Sequence, residues 1–356
     1  MTISHAHLLE SLSKGIASDG QPAGVYQLKN SHGMVATFMD VGATWLSCQV
    51  PVRDEMREVL LGCDTMDKFN QHSAFMGVTV GRYANRIANG QFSIDGTPFQ
   101  IEVSETGHML HGGKIGFDKY RWNVDAATEQ RIQFSIVSAD GDQGFPGEAK
   151  VIVTYELTEL NEVKIGYTAT TSKPTLMNLT NHAYFNLMGA DSGEDCLGHV
   201  LSVNANQFLP TDELGIPVGE LRDVADTGFD FLSPKVIGQD LLLDEEQKLC
   251  NGYDHSFLLS EECLEGECAA TVTSPDSLLT MKMFTTKPAV QLYTGNFLQG
   301  TPNRIDGEYD TYGGVALETQ YLPDSPNHPL WPRQSCVLRE GEIYSHSTIY
   351  QFFNNM

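Results

Sequence analysis

No run of apolar residues in this 356-residue chain approaches the roughly 20 that a membrane-crossing helix needs. Basic residues are also scarce, 22 against 46 acidic ones, for a formal charge of −24. So acidic a surface repels nucleic acid and anionic membranes and leaves a neutral or cationic partner as the expectation. The seven cysteines are odd in number, scattered and without a Cys-x-x-Cys pair. That pattern argues against a disulfide framework and fits a reducing, cytoplasmic setting. Met1 to Gly15 contains no basic segment leading into an apolar core, so no secretory signal is expected. A Gly-x-Ser-x-Gly elbow is missing, which argues against His111-Gly112-Gly113 as a hydrolase oxyanion loop. Gly113-Lys114 is followed by isoleucine and lacks the upstream glycine of a P-loop. There is no repeat of fixed period, no low-complexity tract and no Pro/Ser linker.

Short alternating segments fill the chain instead. Phe92 and Ile94 alternate before Asp95-Gly96, and Phe99 and Ile101 after it, which predicts a hairpin with a tight type I′ turn. Ile132, Phe134 and Ile136, then Val151, Val153, Tyr155 and Leu157, then Val163, Ile165, Tyr167 and Ala169 read as strands. Further strands are expected over 269–273, 278–284, 290–293, 315–318 and, in pieces, 335–353. A short helix is expected over His7 to Lys14, and another over Asp64 to Gln71 with Asp64 as its cap. Helices long enough for βαβ crossovers are missing, which points to an all-β fold, one large, mainly antiparallel β-sandwich or barrel. Residues 1–23 read as an N-terminal extension and 24–356 as a single domain.

Polar islands interrupt the strands. The densest is Asn178 to Leu187, which packs three amides, a histidine and two aromatics into ten residues. A core strand has little use for so many donors and acceptors, because each one buried without a partner costs free energy. The mixture suits the wall of a pocket for a polar ligand with apolar faces, such as a sugar. The other islands are Gly81 to Ile87, Leu110 to Gly113, Asn251 to His255, Val290 to Phe297 and Gly313 to Gln320. Singly, each has a plain structural reading: Arg86 as a surface ion pair, Asp254 as a turn cap, Glu318 as a solvated strand end. His108 and His111 as a shared metal site is disfavoured by Gly107, Gly112 and Gly113, which break any helix there.

Taken in order, the islands resemble the aldose 1-epimerase family, the galactose mutarotases among them. The likeness runs from about Val25 to Phe353. It rests on Gly81 to Gly90, Leu110 to Gly113, Asp140 to Gly147, Thr180 to Leu187, Phe208 to Gly219, Asp254 to Phe257, Tyr293 to Leu298 and Leu317 to Tyr321. The family fold is a large antiparallel β-sandwich, in line with the strand reading. The resemblance implies Glu318 as general base and His182 as general acid. It further implies His111 and Arg86 on the ring oxygen or neighbouring hydroxyls, Asp254 on ring hydroxyls, and Asn85 and Gln291 as substrate contacts. The substrate would be a free aldose, with no metal, nucleotide or redox cofactor and no protein partner required. Residues 1–23 depart from the family pattern.

Glutamate, with a reference pKa of ~4.3, is expected to be ionised at neutral pH, and histidine, at ~6.5, to be an imidazolium in part, aided by a nearby carboxylate. Three rival readings remain at this stage. They are a non-catalytic sugar-binding module of the same fold, a glycoside hydrolase using Asp254 and Glu318, and a hexose-6-phosphate epimerase, which would need extra basic residues for the phosphate.

Overall fold

The computed structural model describes residues 5–333 and 335–355, with side chains from residue 10 onward. Alternation along the sequence becomes one very wide antiparallel sheet of nine strands. From one edge the strands are Asn123–Ala127, Arg131–Ser138, Ala149–Leu157, Glu162–Thr171, Tyr344–Asn354, Leu279–Thr285, Ala270–Thr273, Val200–Val203 and Lys235–Val236. Ile132, Phe134, Val151, Val153, Tyr155, Ile165 and Tyr167 all lie on its buried face. The C-terminal strand Tyr344–Asn354 sits in the middle, between Glu162–Thr171 and Leu279–Thr285. The hairpin at Gln91–Ile94 and Thr97–Gln100 forms with Asp95 and Gly96 at φ +51° and +80°, the two positive values a type I′ turn requires.

A second sheet of six strands carries four of the six polar islands, those at 178–187, 251–255, 290–297 and 313–320. We number its strands β1 (Tyr184–Phe185), β2 (Gln207–Leu209), β3 (Arg222–Asp223), β4 (Asp254–Leu258), β5 (Ala289–Tyr293) and β6 (Val315–Gln320). Their order across the sheet is β1-β6-β5-β4-β2-β3. Period-2 alternation splits β6 cleanly. Val315, Leu317 and Thr319 face the nine-stranded sheet, where the Tyr350 hydroxyl donates to Leu317 O at 2.8 Å and the Thr319 and Thr348 hydroxyls meet. Ala316, Glu318 and Gln320 therefore face the other way. A four-stranded sheet, Val25–Lys29 to Glu55–Glu58, completes the main architecture.

The helix over His5–Lys14 forms, and Leu12 is fully buried against Ala17, Ala23, Met39 and Met66. Arg121 ties this leading segment down by pairing with both Asp19 and Asp40. The second helix spans Met66–Gln71, and its cap is Thr65 rather than Asp64: the Thr65 hydroxyl accepts the Lys68 N–H at 3.2 Å. Asp64 instead pairs with the Lys68 ammonium at 2.7 Å, which a carboxylate one turn away does well. Among the described residues no helix is long and apolar enough to cross a membrane.

Candidate active site

Register on the six-stranded sheet dictates which side chains meet. Tyr184 on β1 pairs with Ala316 on β6, Ala316 with Tyr293 on β5, and Tyr293 with Asp254 on β4. The next row inward is Glu318, Gln291 and Ser256. Directly paired residues share a face, so these two rows form one polar floor.

Loops from the first half of the chain close over that floor. Asn85 and His111 clasp each other: the Asn85 N–H donates to His111 Nδ1 at 3.1 Å, and the His111 N–H donates to Asn85 O at 3.1 Å. Both sit at positive φ, +67° and +51°. Gly112 follows at φ +93°, and a Cβ there would lie 1.9 Å from Gly81 O, so only glycine permits the approach. Arg86 packs directly against Gly215 in the Asp212–Ile216 turn, within 2.6–2.8 Å of where a Cβ would stand.

The Asn178–Leu187 stretch is a strap across the middle. The Asn178 amide accepts from Tyr321 N–H (3.0 Å) and the Lys287 ammonium (3.2 Å) and donates to Ala84 O (3.2 Å). Asn181 donates to Gly77 O and the Tyr155 hydroxyl, and Asn186 to Glu194 O and Gly313 O. These amides fasten backbone. Of the stretch expected to wall a pocket, His182 and Tyr184 face the cavity, while the amide nitrogens of Asn178, Asn181 and Asn186 donate to the loops behind.

The cavity, of about 240 Å³, brings together six of the seven residues singled out from sequence: Asn85, Arg86, His111, His182, Asp254 and Glu318. Gln291 is buried beneath it. Its amide donates to Asp254 Oδ1 at 2.7 Å and accepts from the Ser256 hydroxyl, which fixes the carboxylate from behind. His182 Nε2 and Glu318 Oε1 are 3.6 Å apart, too far for a hydrogen bond, and both side chains are almost wholly buried, at 6% and 3% exposure.

Burial sets the protonation chemistry. It pushes the Glu318 carboxyl well above the ordinary carboxylate range, with Asp254 adding to the rise and Arg86 opposing it. It pushes His182 down to about 4, its own backbone carbonyl opposing, and His111 down as well, helped by His182 and Arg86. Burial thus opposes the charged form of each group, against the expectation of an ionised glutamate beside an imidazolium drawn from their reference values.

His111, His182 and Glu318 each offer a ligand atom within 4.8 Å of the others, the donor set of a metal site. The His111 tautomer fits this poorly. Its Nδ1 accepts a backbone N–H, so the proton resides on Nε2 and makes that atom a donor, whereas a ligating nitrogen must present a lone pair. His108 lies elsewhere, its Nδ1 accepting from Asn89 N–H.

A family model described as aldose 1-epimerase matches residues 24–351. This chain belongs to the aldose 1-epimerase family. It is 47% identical over 338 residues to the aldose 1-epimerase of Escherichia coli (strain K12), covering 95% of this chain and 97% of that one. The galactose mutarotase of Rattus norvegicus is 38% identical over 95% of this chain and 96% of its own. The solved structure of a GalM/aldose epimerase homologue from C. elegans superposes with a TM-score of 0.85 at 31% identity, covering 93% of this chain and 99% of that one. The fold is the galactose mutarotase-like β-sandwich of these aldose 1-epimerases.

Four aromatics of the epimerase pocket escaped the sequence reading as site residues. Tyr184, Tyr293 and Phe297 lay inside islands but had no assigned role, and Phe75 lay outside every island. The period-2 pattern of β5 and β6 could have exposed Tyr293, which shares a face with Glu318 once their strands are paired. Nothing in the sequence marks Phe75.

Proposed function

We propose that Glu318 and His182 are the base and acid with which this aldose 1-epimerase interconverts the α and β anomers of free aldohexoses, D-galactose and D-glucose among them. The observation that carries this is the buried His182–Glu318 pair, 3.6 Å apart in a polar cavity and not bonded to each other. A proton passing between them must travel through something bound there.

Ring opening takes the proton of the C1 hydroxyl and delivers one to the ring oxygen. If Glu318 takes the first and His182 gives the second, the pair starts as carboxylate and imidazolium and ends as carboxylic acid and neutral imidazole. These two states hold the same number of protons, so they are tautomers of one pair rather than separate titrations. Burial favours the uncharged one, which accompanies the open-chain sugar. The pocket thus lowers the open-chain state relative to the closed sugar, and closure on either face of C1 runs the same transfer backwards.

His111, with its proton on Nε2, donates to the ring oxygen or a hydroxyl beside it, and Arg86 supplies a fixed positive donor. Asp254, held by Gln291, accepts from ring hydroxyls. Asn85 presents its amide from the His111 clasp. Gln291 acts through Asp254. Arg86 is the single cationic side chain lining the cavity among the described residues, which favours an uncharged sugar over a sugar phosphate. The part of the leading segment from Leu12 to Ala23 acts as an extension docked on the domain, and the seven free cysteines, five of them buried, suit the cytoplasm.

Polarimetry of freshly dissolved α-D-galactose and α-D-glucose tests the reading. Catalytic amounts of protein should speed the approach to equilibrium rotation for both. No acceleration with either sugar would refute it, and release of aglycone from an aryl galactoside would replace it with hydrolysis.

A further inference from the structure

An acid–base histidine is ordinarily oriented through its second ring nitrogen, which donates to a carboxylate or carbonyl. No other described residue gives His182 that support: its Nδ1 is buried without a hydrogen bond, with only its own backbone carbonyl close by. Aromatic rings surround it instead. Phe75 lies nearly parallel to the imidazole, 16° between planes with centroids 6.0 Å apart. Tyr184 lies 4.8 Å away at 31°, and Tyr293 approaches edge-on at 6.4 Å.

Phe75 is placed there by backbone. Its φ is +55°, a region bulky side chains rarely adopt and one that clusters at functional sites. The turn that follows is bonded to His182 itself on both sides: the Gly77 N–H donates to His182 O at 2.8 Å, and the His182 N–H donates to Val78 O at 3.0 Å. The Val78 N–H in turn donates to Phe75 O at 3.2 Å, closing the turn. Phe75 also meets the His111 ring at 4.7 Å. One turn thereby registers a single aromatic ring against both cavity histidines.

We propose that Phe75 is a positioning residue for this reaction, its ring doing for His182 what a hydrogen bond at Nδ1 does elsewhere. It holds the imidazole plane so that Nε2 faces Glu318, and it keeps water off the ring. The proposal rests on the reading of His182 as the general acid. The titratable and charged groups near the imidazole are Glu318 on β6, His111, Tyr184 and Tyr293, with Arg86 and Asp254 lining the same cavity and Lys119 over the Phe75 ring at 6.0 Å. Replacing Phe75 removes none of them, so a change in His182 titration reports packing and water.

The test uses Phe75→Met, Phe75→Leu and Phe75→Tyr, with polarimetric kinetics on α-D-galactose and NMR titration of the His182 ring, its resonance assigned by its loss in His182→Asn. Phe75→Met and Phe75→Leu, either of which suffices if the other does not fold, should lower kcat by about ten- to a hundredfold with KM within about twofold. The His182 pKa should climb from about 4 toward the ordinary ~6.5. Phe75→Tyr, which keeps the ring, should recover most of kcat. A raised KM with unchanged kcat would make Phe75 a sugar platform and overturn the proposal, as would an unmoved His182 titration. Wild-type kcat in His182→Asn would strike at the acid assignment instead, and the NMR titration still reads the packing by itself.

Discussion

Burial moves Glu318 and His182 in opposite directions, and the consequences for folding have opposite signs. Glu318 holds its proton more tightly folded than unfolded, where its pKa is ~4.3. As pH rises above ~4.3 the unfolded chain gains by ionising while the folded one does not, so stability falls toward the raised folded value. His182 does the reverse. Its folded pKa of about 4 lies below the unfolded ~6.5, so stability is lost as pH falls through that window. Replacing Glu318 by glutamine removes the first cost and leaves the second. The variant should melt above wild type at pH 8, with the gain shrinking as pH approaches ~4.3. Equal melting temperatures at pH 8 would mean that Glu318 ionises as freely folded as unfolded.

At the scale of elements, each piece was legible where its cause is local. The hairpin at Asp95-Gly96 follows from alternation around a dipeptide that tolerates positive φ. Helix capping was misread by one residue, because Asp64 and Thr65 are both good caps and only geometry shows which hydroxyl or carboxylate reaches Lys68 N–H. The Asn178–Leu187 strap was legible as unusual but not as a fastener. Its amides bond to Ala84, Gly77 and Gly313, positions far away in the chain.

The Gly112 loop offers a test of how tightly such a fastening is drawn. Gly112 and Gly107 both sit at positive φ, +93° and +80°, but only Gly112 has backbone where a Cβ would go. Gly107→Ala should cost about 1 kcal/mol, the conformational penalty alone. Gly112→Ala should cost at least ~2 kcal/mol more in urea unfolding and raise KM as His111 is displaced. Equal costs would show that the approach of Gly81 O is slack.

For the whole molecule, the sandwich was legible in class but not in layout. Period-2 alternation says which residues of β6 face together, yet nothing local says that β6 lies between β1 and β5, or that Glu318 therefore neighbours Gln291. The family resemblance, spread over eight islands, supplied what local pattern lacked, and six of the seven residues it named line the cavity. The net charge of −24 acts at this scale too. An uncharged sugar feels little of that field, so kcat/KM for galactose should change by less than about twofold between low salt and ~0.5 M NaCl. A steep salt dependence would point to a charged substrate.

The most direct measurement is mutarotation of α-D-galactose by Glu318→Gln, followed by polarimetry beside calorimetric binding of the same sugar. An acid–base role for the buried pair predicts kcat lower by at least about a thousandfold with galactose affinity within about threefold of wild type. Wild-type kcat in that variant would contradict it.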